Sequence, residues 1–180
     1  MPLETIRAWL GLGAADDETV EPLRETLEAL EHLEPGLARY LAAFAYLLSR
    51  VALADRVSSQ EETRAMKALL EEHGQLTPDQ SVLVVDLATK SNVAFGATAD
   101  FLVAREFSAL VTYEQKLALV RCLFVISAAD ERISTVEESE IHRIANELRI
   151  DPPDLTALRV RFSRYLPGLS RPPRDGSGDR

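Results

Sequence analysis

Apolar residues recur every three or four positions along most of this chain, which is the spacing of one face of an α-helix. Residues 37–54 are apolar on nearly all sides, as expected for a helix at the centre of a core. Residues 82–85 are rich in β-branched side chains, but one short apolar run among helical segments favours helix over strand. The pattern therefore predicts an all-α fold, a helical bundle of about seven to nine helices.

Capping residues and helix breakers set the boundaries of these helices. Gly74 ends one helix, and Thr77 and Pro78 suit the N-cap and first position of the next. The predicted helices cover residues 3–10, 17–34, 37–54, 59–73, 78–91, 97–107, 113–129, 135–149 and a last segment from 152 that ends by 167.

The N-terminal part of the chain is its most acidic part. Residues 1–36 carry a net charge of −7, out of −9 for the whole protein. Within 17–34 the apolar residues form a narrow stripe that either packs on the main body or pairs with a partner helix. We expect an acidic helical extension over 1–36, ended by Pro35 and Gly36, a helical domain over 37–166, and a disordered tail over 167–180.

A short motif occurs twice in the chain. Residues 53–62 read Leu-Ala-Asp-Arg-Val-Ser-Ser-Gln-Glu-Glu, and residues 128–138 read Ala-Ala-Asp-Glu-Arg-Ile-Ser-Thr-Val-Glu-Glu. In each copy an apolar helix ends at an Asp, a β-branched residue (Val57 or Ile133) tucks under the turn, and Ser-x-x-Glu caps the next helix in one of two registers. We therefore expect two helix–acidic turn–helix units related by an internal pseudo-twofold axis.

This duplicated motif resembles that of the TerB family of tellurite-resistance proteins and of the related helical domain of DjlA-type co-chaperones. Their paired motifs have the form Ala-(Ala)-Asp-Gly-x-(apolar)-(Ser/Thr)-x-x-Glu, and the resemblance covers about residues 37–166. The glycine that usually follows the Asp is replaced by Arg56 in the first copy and by Glu131-Arg132 in the second.

The resemblance implies a site for Ca²⁺ or another divalent cation at the acidic turns. Hard cations take several oxygen ligands, which carboxylates from two converging turns would supply. The same acids have a simpler interpretation, in which the aspartates accept backbone hydrogen bonds and the glutamates cap helices. The candidate ligands are Asp55, Glu61, Glu62, Asp130, Glu137 and Glu138.

Other kinds of chemistry find little support in the sequence. His32, His73 and His142 are scattered without metal-ligand spacing, and Cys122 lies among apolar neighbours typical of a buried structural thiol. We predict no catalytic residues and no enzymatic activity. A net charge of −9 and a pI of about 4.9 disfavour nucleic acid as a partner. With no apparent signal peptide or membrane span, we expect a cytoplasmic protein.

Two functional hypotheses remain open at this stage. In the first, the chain is a TerB-like stress-response module that binds a divalent cation and acts with a protein partner. That partner could be associated with a membrane. In the second, it is a structural or adaptor protein that binds no metal and recruits a partner through the acidic helix over 17–34. Deleting residues 1–36 would then abolish partner binding and leave any metal binding intact.

Overall fold

The structure is a computed structural model that describes residues 21–52, 60–90, 97–129 and 131–166. Over these ranges it contains eight α-helices and no strand, which confirms the all-α fold. The helices are α1 (Arg24–Glu31), α2 (Pro35–Ala52), α3 (Gln60–Gly74), α4 (Pro78–Lys90), α5 (Ala97–Leu110), α6 (Tyr113–Ser127), α7 (Thr135–Glu147) and α8 (Pro152–Arg161), with 3₁₀ turns at Glu21–Leu23 and Ser163–Tyr165.

Several sequence predictions lie outside the described residues. These are the helix over 3–10, the first acidic turn and the C-terminal tail. The ambiguous run over 82–85 is helical, as predicted. The cap at Thr77 is also confirmed, because Gln80 N–H donates to Thr77 Oγ1 at 3.3 Å and Thr77 N–H donates to Gln80 Oε1 at 3.0 Å.

The boundary between the first two helices differs from the prediction. Pro35 begins α2, whereas the sequence placed Pro35 and Gly36 in the break between two helices. The cause is Glu34, whose carboxylate accepts the N–H groups of Gly36 at 2.8 Å and Leu37 at 3.0 Å. The hydrogen bond from Gly36 is the main cause, and that from Leu37 the next, of a pKa of the Glu34 carboxyl below its ordinary value. Glu34 therefore caps α2, and Pro35 takes the first helical position that suits proline.

Helix α2 lies at the centre of the bundle and packs against α4, α5, α6 and α7. Residues 41–49 are all buried, as the uninterrupted apolar segment predicted. At the N-terminal end of α2 the rings of Tyr40 and Phe44 contact Phe107 of α5, with centroids 5.6 and 6.3 Å apart. The surrounding helices thus shield α2 from water on every side over most of its length.

Helices α3 and α6 approach each other closely at Gly74. A Cβ atom at this position would lie 3.3 Å from the Sγ atom of Cys122 and 3.5 Å from the ring of Phe44. Cys122 is fully buried, and this burial raises its pKa to about 12. A thiol in such surroundings is a packing group rather than a nucleophile, as the sequence predicted.

Polar and aromatic contacts hold α8 against the bundle. The hydroxyl of Tyr113, at the start of α6, donates to Asp154 at 2.6 Å and accepts the Asp151 N–H at 3.0 Å. Beyond the end of α8, the ring of Phe162 stacks on Phe124 with centroids 5.3 Å apart. These contacts hold α8 beside the start of α7, where the second acidic turn lies.

The stripe of α1 packs on the main body of the protein. Leu23, Leu27 and Leu30 are at most 2% exposed and belong to the core, where α1 lies against α4. The structure thus favours the first of the two interpretations of this stripe. The opposite face carries exposed acids, so the helix presents charge rather than apolar surface to its surroundings.

Replacing Leu27 with Ala tests whether α1 is part of the folding unit. Loss of this buried side chain should lower the free energy of unfolding by about 2–5 kcal/mol. Urea unfolding followed by circular dichroism measures the effect. The exposed neighbour Glu28→Ala is the control and should change stability by about 0.5 kcal/mol or less. Equal effects of the two substitutions would contradict the packing of α1.

Candidate functional site

The second acidic turn is built by backbone hydrogen bonds between α6 and α7. Helix α6 ends at Ser127, and the N–H of Ala129 donates to the carbonyl of Ile126 at 3.1 Å. The N–H of Glu131 then donates to the carbonyl of Ala128 at 3.0 Å. Asp130, between them, lies outside the described residues.

Ile133 packs this turn against the body of the protein. Its side chain is fully buried, as the sequence predicted for the β-branched residue of the motif. Its N–H donates to the carbonyl of Tyr165 at 2.9 Å, beyond the end of α8. The turn is therefore held on one side by apolar packing and on the other by the segment that follows α8.

Glu131 adopts a left-handed backbone conformation, with φ at 61°. This conformation costs a residue with a Cβ atom about 1–2 kcal/mol, and glycine adopts it freely. Glu131 occupies the position directly after Asp130, where the family motif usually has glycine. The turn thus keeps the backbone shape that glycine favours, although the glycine itself is missing.

The start of α7 carries a complete capping box. Glu137 N–H donates to Ser134 Oγ at 3.2 Å, and Ser134 N–H donates to Glu137 Oε2 at 2.7 Å. The structure thereby selects the first of the two Ser-x-x-Glu registers that the sequence allowed. Glu137 accepts this hydrogen bond through one carboxylate oxygen, Oε2, and its other oxygen is a further acceptor.

Glu138, the neighbouring acid, forms an ion pair with α8. The Nε atom of Arg159 lies 2.6 Å from Glu138 Oε1. The Glu138 side chain is 15% exposed and that of Arg159 is 36% exposed. A carboxylate with so little contact with water needs a nearby positive charge to stabilise its ionised form. The guanidinium of Arg159 provides that charge.

A second ionic cluster links α2 to α7. The guanidinium of Arg50, whose side chain is 6% exposed, contacts Glu140 at 2.7 Å and Glu147 at 2.7 Å. Arg143 also contacts Glu140, at 3.0 Å. Burial acts to lower the pKa of Arg50, but the hydrogen bond to Glu147 and the two carboxylate charges raise it overall. The pairing keeps Arg50 charged inside the bundle.

Sequence reasoning did not assign a role to this cluster. The available signal was Arg50 itself, because a charged residue in an otherwise apolar central helix must find a partner. Its two partners lie 90 and 97 positions away in the sequence, so their identity depends on how the helices pack.

Most of the first acidic turn lies outside the described residues. Asp55 lies outside the described residues. Glu61 and Glu62 fall within the first turn of α3, and their side chains are likewise not described. Of the six candidate ligands, Glu137 and Glu138 are the two whose side chains the structure describes, and they occupy consecutive positions in the first turn of α7.

Glu137 and Glu138 have the carboxylate chemistry that hard divalent cations prefer, but they occupy consecutive positions of one helix, whose side chains point in different directions. Both are carboxylates, and each uses one oxygen in the contacts described above. Over the described ranges no group of three or more His, Cys, Asp or Glu side chains is placed to hold a metal ion. The remaining ligands would therefore come from Asp130, Asp55, Glu61 or Glu62.

A shallow groove of about 410 Å³ runs along the outer face of α7 beside this turn. The Nε2 atom of His142 is buried there without a hydrogen-bond partner. The groove is lined by Glu138, Ser139, His142, Arg143 and Asn146.

The fold and the turn define the class of protein: an all-helical bundle with an acidic, capped turn between two packed helices. The family model for tellurite resistance protein TerB matches residues 40–160, about two thirds of the chain. The chain belongs to the TerB family, as its duplicated motif predicted. Comparisons with curated proteins and with solved structures gave no match.

Of the helices in the described ranges, none combines the length and apolar character needed to cross a bilayer. Even the central helix α2, which is the most apolar, does not meet both requirements.

The left-handed conformation of Glu131 predicts that glycine stabilises the turn. Glu131→Gly relieves the strain but increases the entropy of the unfolded chain, so we expect a net gain of up to about 1 kcal/mol. The measurement is the free energy of unfolding in urea. Arg132→Gly is the matched control, because Arg132 is exposed and has no positive φ, and it should lose about 0.5–1 kcal/mol. Equal losses in the two variants would contradict the assigned strain.

Proposed function

We propose that this protein is a non-enzymatic TerB-like module that acts in metal or tellurite stress by binding a divalent cation at its duplicated acidic turns. The observation that carries the proposal is the turn after α6. Its backbone keeps the glycine-like conformation at Glu131, its capping box is complete, and the family match extends over both copies of the motif. We assign no catalytic residue.

The ion pairs of Arg50 place the end of α2, which leads into the first turn, against the middle and last turns of α7. Arg50 lies near the C-terminal end of α2, three residues before the first copy of the motif begins. Its partners Glu140 and Glu147 belong to α7, the helix that leaves the second copy. The ion pairs therefore join α2, the helix before the first acidic turn, to α7, the helix after the second.

Ca²⁺ suits this arrangement in charge and ligand type. It takes six to eight oxygen ligands at about 2.3–2.6 Å, in flexible geometry. Glu137 and Glu138 would provide two carboxylates, and Asp55, Glu61, Glu62 and Asp130 would complete the set. Binding would neutralise part of the protein's negative charge and link the two units, which gives a protein partner a cation-dependent surface to recognise. We place this action in the cytoplasm, with peripheral membrane association through the partner.

The observation that favours the adaptor hypothesis is the exposed acidic face of α1. Because the apolar stripe of this helix is buried, a partner would meet carboxylates and would have to be basic. Burial of the stripe also changes the test, since deleting residues 1–36 would remove core side chains along with the acids. The exposed acids of this face are Glu21, Glu25, Glu28 and Glu31.

The cation proposal predicts saturable binding of Ca²⁺ by chelator-treated protein in calorimetry. The variant Asp55→Asn/Asp130→Asn should lose this binding, because it removes one carboxylate from each turn. The control Glu72→Gln/Asp79→Asn removes the same charge from two exposed positions and should bind as the parent does. Absence of heat and of any change in melting temperature at millimolar Ca²⁺ would overturn the cation site.

The adaptor hypothesis predicts a different set of losses. Glu25→Gln/Glu28→Gln should weaken capture of a basic protein partner in a pull-down from cell extract and leave Ca²⁺ binding unchanged. Both positions are exposed, so the fold should be retained. Capture that survives this change but disappears in Asp55→Asn/Asp130→Asn would assign the partner to the turns instead.

A further inference from the structure

Positive charge is concentrated in the last part of this acidic chain. Residues 156–180 contain six arginines and two aspartates, a net charge of +4, whereas residues 1–36 carry −7 and the whole protein −9. Such an uneven distribution indicates surfaces that attract partners of opposite charge. Within the described residues, the basic segment comprises the second half of α8 and the 3₁₀ turn after it.

Two arginines on the outer side of this segment are exposed. Arg161 ends α8, and Arg164 follows in the 3₁₀ turn, where its guanidinium lies over the ring of Tyr165 at 4.5 Å from the centroid. Among the residues that the structure describes, no carboxylate pairs with either arginine. Val160, which precedes them, is 63% exposed. These three residues, Val160, Arg161 and Arg164, form a basic surface that also carries apolar area for a partner to cover.

The acidic face of α1 has the complementary charge. Glu25, Glu28 and Glu31 are spaced three residues apart, so their side chains lie along one side of the helix. All three are exposed, and in the described part of the chain none of them has a basic partner. The protein therefore presents an unpaired acidic row and an unpaired basic surface.

The two surfaces lie on different helices of the bundle. Helix α1 packs against α2 and α4, whereas α8 contacts α6 through Tyr113 and α7 through Glu138. No ion pair joins the described residues of α1 to those of α8. Both helices are held by buried side chains, Leu27 in α1 and Leu155 in α8, so neither is free to swing toward the other. Pairing of these charges therefore requires a second molecule.

We propose that the basic surface of α8 binds the acidic face of α1 on a second copy of this chain. The inference rests on the adaptor hypothesis, since it identifies the basic partner of α1, and it does not involve the cation site. Each copy uses two different surfaces, so the contact is head-to-tail and builds open chains or rings rather than closed twofold dimers. Exposed ion pairs are individually weak, and we expect a Kd of about 0.1–1 mM.

The experiment exchanges the charges of the two surfaces. Arg161→Glu/Arg164→Glu and Glu25→Arg/Glu28→Arg each give both surfaces of a copy the same sign. The average molecular mass is measured by small-angle X-ray scattering over a concentration series, with chelator and about 0.1 M salt, which screens the repulsion between copies beyond about 10 Å. Either variant alone should associate at least about tenfold more weakly than the parent. An equimolar mixture should associate as the parent does, because each acidic surface again meets a basic one.

Matched controls separate the contact from net charge. Each pair of reversals changes the net charge of −9 by four, to −13 or −5. Arg64→Glu/Arg132→Glu and Glu72→Arg/Asp79→Arg reach the same two values at exposed positions elsewhere, and they should stay within about twofold of the parent. Circular dichroism melting checks that every variant is folded. A double variant that does not fold is replaced by its single reversal at Arg161 or Glu25.

Several outcomes would overturn the contact. These are a parent that stays monomeric over the whole series, a mixture that does not recover association, and equal losses in the variants and their controls. Binding of the parent to phosphatidylserine vesicles, lost in Arg161→Glu/Arg164→Glu and without association of copies, would assign the basic surface to a membrane instead.

The same variants separate this contact from the proposed function. Calorimetric Ca²⁺ binding by both charge-reversed variants should equal that of the parent, because neither surface includes the acidic turns. Loss of association with Ca²⁺ binding retained would support the contact as independent of the cation site. Capture of another basic protein by Glu25 and Glu28, without association of copies, would overturn the contact and leave the adaptor hypothesis standing.

Discussion

The burial of α2 is the constraint on which the rest of the structure depends. An apolar helix of this length gains free energy only if other helices cover it on every side, and α4, α5, α6 and α7 do so. Arg50 makes this arrangement specific, because its buried charge must meet Glu140 and Glu147 of α7. Apolar packing alone would tolerate rotation or sliding of α7, whereas a paired charge tolerates neither without loss of its partners.

Helix α7 is accordingly organised by arginines from three helices. Arg50 of α2 and Arg143 of α7 itself neutralise the acids in its middle and last turns, and Arg159 of α8 pairs with Glu138 in its first turn. The acidic character of this helix therefore serves packing as well as any ligand.

The turn after α6 shows that a motif can keep its shape while losing a residue that favours it. Glu131 takes the left-handed conformation, which costs free energy. The burial of Ile133 and the capping box at Ser134 stabilise the turn and offset this cost. The family relationship itself rests on the match of the TerB model to residues 40–160, which include this turn.

The sequence by itself determined the helical class, the central helix, the cap at Thr77, the buried Ile133 and the family, because helical periodicity, capping and turn chemistry act over a few residues. It left two registers open for the cap of α7 and two interpretations open for the stripe of α1, since both alternatives satisfy the local pattern. Only the tertiary structure decided that Leu27 lies in the core and that Arg50 and Arg159 pair with acids of α7. These are contacts between residues far apart in the chain, and the way whole helices pack fixes the partners, which no short stretch of sequence specifies.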